Sequence, residues 1–153
     1  MSKYDNRPAP PAISEDYKIA LQRGYFDEKG ALRQEFIRRF SKEVAQSFQT
    51  GSMTSTQLRN FYNHVKTASS VYRLKKATDG AEAILLDKIL KLDAIVKYNI
   101  SREGISIPPT FETFVSLNLD ACHTAKDIID GFAPHFETIV GYFKYFEKTR
   151  RRR

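Results

Sequence analysis

Apolar side chains recur along this chain at spacings of three and four residues, which places them on one face of an α-helix. No stretch alternates with period two for long enough to compete as a strand. Leu32, Phe36, Phe40, Val44 and Phe48 stand at every fourth position and predict an amphipathic helix that Thr50-Gly51 terminates. Leu58, Phe61, Tyr62, Val65, Ala68, Ser69 and Tyr72 mark the inner face of a second helix. Leu85, Leu86, Ile89, Leu92, Val96 and Ile100 trace a third; Phe111, Phe114, Val115, Leu119, Cys122 and Ile129 a fourth; Phe136, Ile139, Val140, Phe143 and Phe146 a fifth.

The residues between these runs supply the stops and starts. Ser14 is placed to cap a short leading helix through Arg23, with Glu15 and Asp16 at its positive dipole end and Gly24 beyond it. Asp27-Glu28-Lys29-Gly30 reads as a turn. Thr54-Ser55-Thr56-Gln57 is a capping box, in which the two end side chains satisfy each other's backbone amides. Asp79-Gly80 breaks the chain, and Gly104 with Pro108-Pro109 keeps Glu103 to Pro109 out of a helix. Thr110 is the expected cap of the fourth helix, Gly131 its expected stop, and Pro134 fits the first turn of the last. Short connections between long helices imply an all-α, five-helix antiparallel bundle with a short extra N-terminal helix and disordered termini. The expected organisation is a flexible arm over residues 1–13 carrying Pro8, Pro10 and Pro11, a single bundle domain over 14–148, and a basic tail over 149–153.

Composition narrows the function classes. A chain of 153 residues is one domain, long enough to bury a core without disulfides or metal. The lone Cys122 excludes an intrachain disulfide and a cysteine-based zinc site, and its apolar run makes it a small core residue. The absence of a long apolar run or signal-like N-terminus argues against a membrane setting and for the cytoplasm. Most of the 11 Phe fall at core phase, with the hydroxyls of Tyr62, Tyr98 and Tyr142 needing water or a partner. Twenty-five Lys and Arg against 18 Asp and Glu give a formal net charge of +7, which favours polyanionic partners.

The charge has a pattern. Arg59, Asn63, Lys66, Ser70 and Arg73 follow one another at steps of four, three, four and three, a single ridge opposite much of the apolar stripe. No acid occurs between Gly51 and Asp79. A solvated helix face commonly mixes both signs, so an unmixed basic ridge points to a polyanion laid along it. Lys75 and Lys76 follow on the same helix; Lys88, Lys91 and Arg102 share a face of the next, with Lys97 on another and Asp87 four residues before Lys91. His64, His123 and His135 have no metal-ligand spacing, no cofactor signature is present, and no phosphate loop or nucleophile elbow occurs. Arg59 through His64 does match the arginine, four residues, histidine motif of HEPN-type ribonucleases, which leaves a helical ribonuclease as one alternative and a helical protein–protein scaffold as another.

Four segments in order carry a family resemblance: Gly24-Tyr25-Phe26-Asp27 through Arg33, Thr54 through Asn63, Leu92 through Tyr98 to Arg102, and Phe136 through Lys144. Together they resemble the small helical subunit of type III-A CRISPR–Cas effector complexes, the small subunit of the Csm family. The resemblance implies a five-helix bundle without nuclease activity that stacks in several copies along guide and target RNA. It also implies contacts with the large and backbone subunits. Arg59 then matches the arginine of the helix-opening motif and Arg102 that of the Tyr98 segment. The chain departs from the family pattern just after Leu92, where Asp93-Ala94-Ile95 replaces lysines and a proline and Lys97 is the nearest substitute cation. The RNA-contacting set implied by ridge and resemblance together is Arg59, Asn63, Lys66, Arg73, Lys97 and Arg102.

Overall fold

The computed structural model describes residues 12–49, 53–102, 104 and 106–151. Seven α-helices account for most of them: α1 (Glu15–Arg23), α2 (Arg39–Ser47), α3 (Ser55–Lys75), α4 (Ala81–Leu90), α5 (Leu92–Ser101), α6 (Pro109–Ala121) and α7 (Ala133–Arg151). Helices α4 and α5 are one apolar run bent at Lys91, so the bundle has five members besides the N-terminal α1. Helix α3 opposes α7, as Ser55 meets Glu147 and Tyr62 meets Phe136. Helix α2 runs alongside α7 in the same sense, from Ser41 against Thr138 to Gln49 against Arg150. Among the described residues no helix is long and apolar enough to cross a membrane.

Several caps form as the sequence predicts. The Ser14 hydroxyl accepts from the Tyr17 amide at 3.2 Å, and Gly24 ends α1 with φ 93°. Both halves of the Thr54–Gln57 box close, at 3.2 and 2.8 Å. Gly80, at φ 80°, provides the break before α4.

Three expectations are corrected. Leu32 is not helical: it bridges Phe26 across a turn in which Asp27 Oδ1 accepts from the Lys29 and Ala31 amides. Arg33 then reaches back to the Ala20 and Gly24 carbonyls at 2.6 Å each, which ties this segment to the end of α1 and delays α2 to Arg39. The expected stop of that helix at Thr50-Gly51 lies outside the described residues. Thr110 is not a cap, because α6 starts one residue earlier at Pro109 and the Thr110 hydroxyl donates to the Ser47 carbonyl instead.

Gly131 is not a stop either. The break comes earlier, at Cys122–Thr124, where Thr124 Oγ1 accepts from the Asp127 amide while Asp127 Oδ2 accepts from the His123 and Thr124 amides. Glu82 of α4 adds a carboxylate on the Ala125 amide at 2.8 Å. From there the helix runs through a π-turn (Asp127–Phe132) into α7. The wider turn accommodates Pro134, which has no amide hydrogen to give and would crowd the carbonyl four residues back. Gly131 is required by packing: a Cβ there would lie 2.7 Å from the Tyr25 ring.

The core is aromatic, with Phe36, Phe48, Phe111, Phe114, Phe132 and Phe136 fully buried. A chain of polar groups threads it. His135 Nδ1–H donates to the Phe36 carbonyl, and the Tyr17 hydroxyl donates to His135 Nε2 at 2.7 Å. Asn118 Nδ2 donates to Tyr17 and to the Phe114 carbonyl, and Tyr25 donates to Asn118 Oδ1 at 2.8 Å. Cys122 packs against the same Tyr25 hydroxyl, and burial pushes its thiol up to about 12, so it stays protonated as a core residue.

The proposed arm over 1–13 falls outside the described residues except Ala12 and Ile13, of which Ile13 is buried. At the other end α7 continues to Arg151, and Arg150 donates to the Gln49 carbonyl at 2.8 Å; Arg152 and Arg153 lie outside the described residues.

Two outcomes follow from this core. Gly131→Ala is expected to lose about 2 kcal/mol in a urea titration, because the new methyl meets the Tyr25 ring. Burial holds the His135 imidazole down at about 4, against roughly 6.5 in an unfolded chain. Between those values the unfolded chain takes up a proton that the folded chain refuses, so this stability is present above the upper value and lost as pH falls through the window. Unfolding free energies from urea titrations at about pH 7 and pH 4.5 should differ by roughly 2–3 kcal/mol more in the wild type than in the non-titrating His135→Gln; equal differences would contradict it.

Candidate nucleic-acid interface

Helix α3 is held at its N-terminal end and on two flanks, and that fixes which face it exposes. Its first amide is buried, and the Glu147 carboxylate of α7 accepts from the Ser55 amide at 2.9 Å and from the Ser55 hydroxyl at 3.1 Å. A carboxylate at a helix N-terminus meets unpaired amides and the positive end of the dipole. Leu58, Tyr62, Val65 and Ser69 face inward on this side, with the Tyr62 ring 5.5 Å from Phe136. On the other flank His64 Nε2–H donates to the Lys88 carbonyl of α4 at 2.8 Å.

What remains outward is the ridge. Arg59, Asn63, Lys66, Ser70 and Arg73 are all exposed along the crest of α3. No ion pair engages Arg59, Lys66 or Arg73 among the described residues. Burial is the main cause that raises the Tyr62 hydroxyl pKa. The neighbouring Glu137 carboxylate adds to the shift, and Arg59 and Arg73 oppose it, which places both arginines within electrostatic reach of one side chain.

Two shallow grooves run beside the crest, along the seam between α3 and the bent α4–α5. One is lined by Asn60, Asn63, His64, Thr67, Ala68 and Lys88, the other by Gln57, Asn60, Phe61, Asn99 and Arg102 among others. Asn60 belongs to both. Among the described residues neither contains a carboxylate. The structure therefore joins Arg102 to the beginning of the ridge by way of Gln57 and Asn60, with its guanidinium 6.0 Å over the Tyr98 ring. Lys88 comes up against the middle of α3 in the same way. The sequence gives Lys88 no role on the ridge, and it passes over Asn60 and Thr67. One cue was available: amide and hydroxyl side chains fill the strip between the ridge and the buried stripe, where acids would ordinarily be found.

The remaining residue of the implied set stands apart. Lys97 is held between Asp93 of its own helix, whose Oδ1 lies 2.6 Å away, and Glu112 of α6, whose Oε1 lies 3.9 Å away. The hydrogen bond to Asp93 is the first cause of its raised pKa. Lys91 is similarly engaged by Asp87 at 3.0 Å.

Within one chain the arginine and histidine of the ribonuclease alternative lie on different sides of α3. Five residues along one continuous helix separate two side chains by about 140° around the axis. Arg59 is accordingly on the crest, whereas His64 is half-buried and turned to the Lys88 carbonyl. Among the described residues no three His, Cys, Asp or Glu side chains are grouped to hold a metal ion.

A family model described as Csm2 Type III-A matches residues 32–149. No curated protein and no solved structure matches the chain. The matched span takes in the whole of α2 through α6 and all of α7 but Arg150 and Arg151, and with them the ridge and both grooves.

Because Glu147 seats the start of α3, Glu147→Ala is expected to cost about 2 kcal/mol in chemical denaturation, leaving the Ser55 amide buried without an acceptor. An unchanged midpoint would show that the capping box alone holds this end.

Proposed function

This chain belongs to the Csm2 Type III-A family, the small subunit of type III-A CRISPR effector complexes, and from that premise we propose that it serves the complex by holding RNA along its backbone, with no cleavage chemistry of its own. The observation that carries the reading is the crest of α3: three cations at regular intervals, exposed, with no carboxylate on the ridge or, among the described residues, in the grooves beside it. Arg59, Lys66 and Arg73 bind phosphates, Asn63 adds hydrogen bonds, and Arg102 extends the track past the start of the helix. Lys97 joins the track only by giving up Asp93, so its share is the smallest.

Phosphate contact suits a guided complex. Sequence is read there by base pairing between guide and target, and a subunit that must accept any target gains nothing from reading base edges. The partners are thus guide RNA and target RNA through their backbones, the large and backbone subunits of the complex, and further copies of this chain stacked along the RNA. The antiviral role is that of the whole assembly.

The test is an Arg59/Lys66/Arg73 triple alanine variant assayed for RNA affinity across a salt series. With three cations removed from the phosphates of a single strand, the log–log salt slope should flatten by roughly 2 and binding should weaken about equally for unrelated sequences. All three side chains are exposed, so the melting temperature should stay near that of the wild type. Wild-type affinity in the triple variant sinks the reading. RNA cleavage that depends on His64 would move the assignment to a nuclease.

A further inference from the structure

Gly141 lies inside α7 and is exposed. A helix interior is the place where glycine is least favourable after proline, since it orders the most backbone freedom and contributes no packing. Nothing among the described residues calls for it here. Its φ is not in the left-handed region, and a Cβ built on it meets no atom within 4 Å. Gly131 is the opposite case, with a tyrosine ring in the space. A bare strip of helix backbone facing solvent is what close approach by something outside the chain requires.

Gly141 lines a groove of about 700 Å³ between α7 and the start of α2. One wall is aromatic. Tyr142 and Phe146 stack at 6.4 Å with 21° between their planes, and Tyr145 lies edge-on to Phe146 at 5.5 Å while remaining 61% exposed. The other wall holds Arg38 and Lys42, both exposed. Their neighbour Arg39 is engaged by Asp16 and Glu43, whereas Arg38 and Lys42 have no ion-pair partner among the described residues. Among the described residues no carboxylate lines the groove.

We propose that this groove binds a nucleotide of single-stranded RNA, with the base on the Tyr145 ring, the flanking phosphates on Arg38 and Lys42, and the sugar or base edge against the bare backbone at Gly141. Stacking on an aromatic face beside uncompensated cations is the general chemistry of sequence-tolerant single-strand binding. A docking protein helix fits less well, because it needs an apolar stripe across several turns. Tyr145 is the one large apolar side chain exposed on α7 among the described residues. The inference rests on the RNA-binding reading but places a second contact on a different helix pair from the α3 crest.

The full-length chain is titrated into labelled oligouridine, in parallel with thermal melts. Gly141→Ala is expected to raise the melting temperature by about 2–4 °C and to weaken RNA binding, a combination that a purely internal role for glycine would not produce. Tyr145→Leu should weaken binding about ten-fold, and Tyr145→Phe should restore it. Wild-type affinity in both Gly141→Ala and Tyr145→Leu overturns the inference, as does a lowered melting temperature in Gly141→Ala. If the crest triple variant loses affinity while the groove variants do not, the crest reading stands and this one falls; the reverse result supports the groove and removes the crest. No saturable binding by the wild-type chain removes both. Normal RNA affinity with failure of Tyr145→Leu to enter the effector complex would assign the groove to a protein partner.

Discussion

The neutral imidazole of His135 is the constraint on which the rest of the bundle depends. With Nδ1 protonated it donates to the Phe36 carbonyl and accepts the Tyr17 hydroxyl proton at Nε2. That choice sets every later hydrogen in the chain: Tyr17 is left to accept from Asn118, and Asn118 to accept from Tyr25. Protonating the ring would leave the Tyr17 hydrogen with no acceptor inside an aromatic core. The chain connects α1, the turn before α2, α6 and α7, elements far apart in sequence, at a place where apolar packing alone would tolerate several arrangements. Aromatic faces slide on one another at small cost, whereas buried donors and acceptors have one satisfied pattern.

Much of the fold is legible in the sequence because the information is local. Helical periodicity locates the five helices of the bundle that follow α1, and the caps at Ser14 and Thr54 form between residues three apart. What is not legible is tertiary in origin. Leu32 keeps helical phase with Phe36, but the Arg33 bonds to two carbonyls near the end of α1 hold that segment extended. Gly131 and Pro134 together read as a helix break, yet the first makes room for Tyr25 and the second is absorbed by the π-turn. The actual break could have been found, since Thr124 with Asp127 three residues later is itself a capping signature; it falls inside an apolar run that outweighs it.

The ridge is legible for a different reason. A run of 27 residues without an acid, Ser52 to Thr78, is visible in one dimension, and 3.6 residues per turn converts it directly into a face. The grooves beside it are not, because Lys88 and Arg102 reach α3 only through the bend at Lys91 and the antiparallel pairing of α3 with α4 and α5. Lys97 shows the limit of reading charge from sequence. It has the right sign and neighbourhood, but its position on the helix gives it to Asp93 and Glu112.

The missing methyl at Gly131 has a consequence for how this family can vary. The Tyr25 ring fills that space, and its hydroxyl ends the buried polar chain. Neither position can therefore drift alone: a side chain at 131 displaces the ring, and a smaller residue at 25 opens a void and strips Asn118 Oδ1 of its donor. Substitutions at 25, 118 and 131 should travel together among relatives, as one inherited unit spread over a hundred residues of sequence.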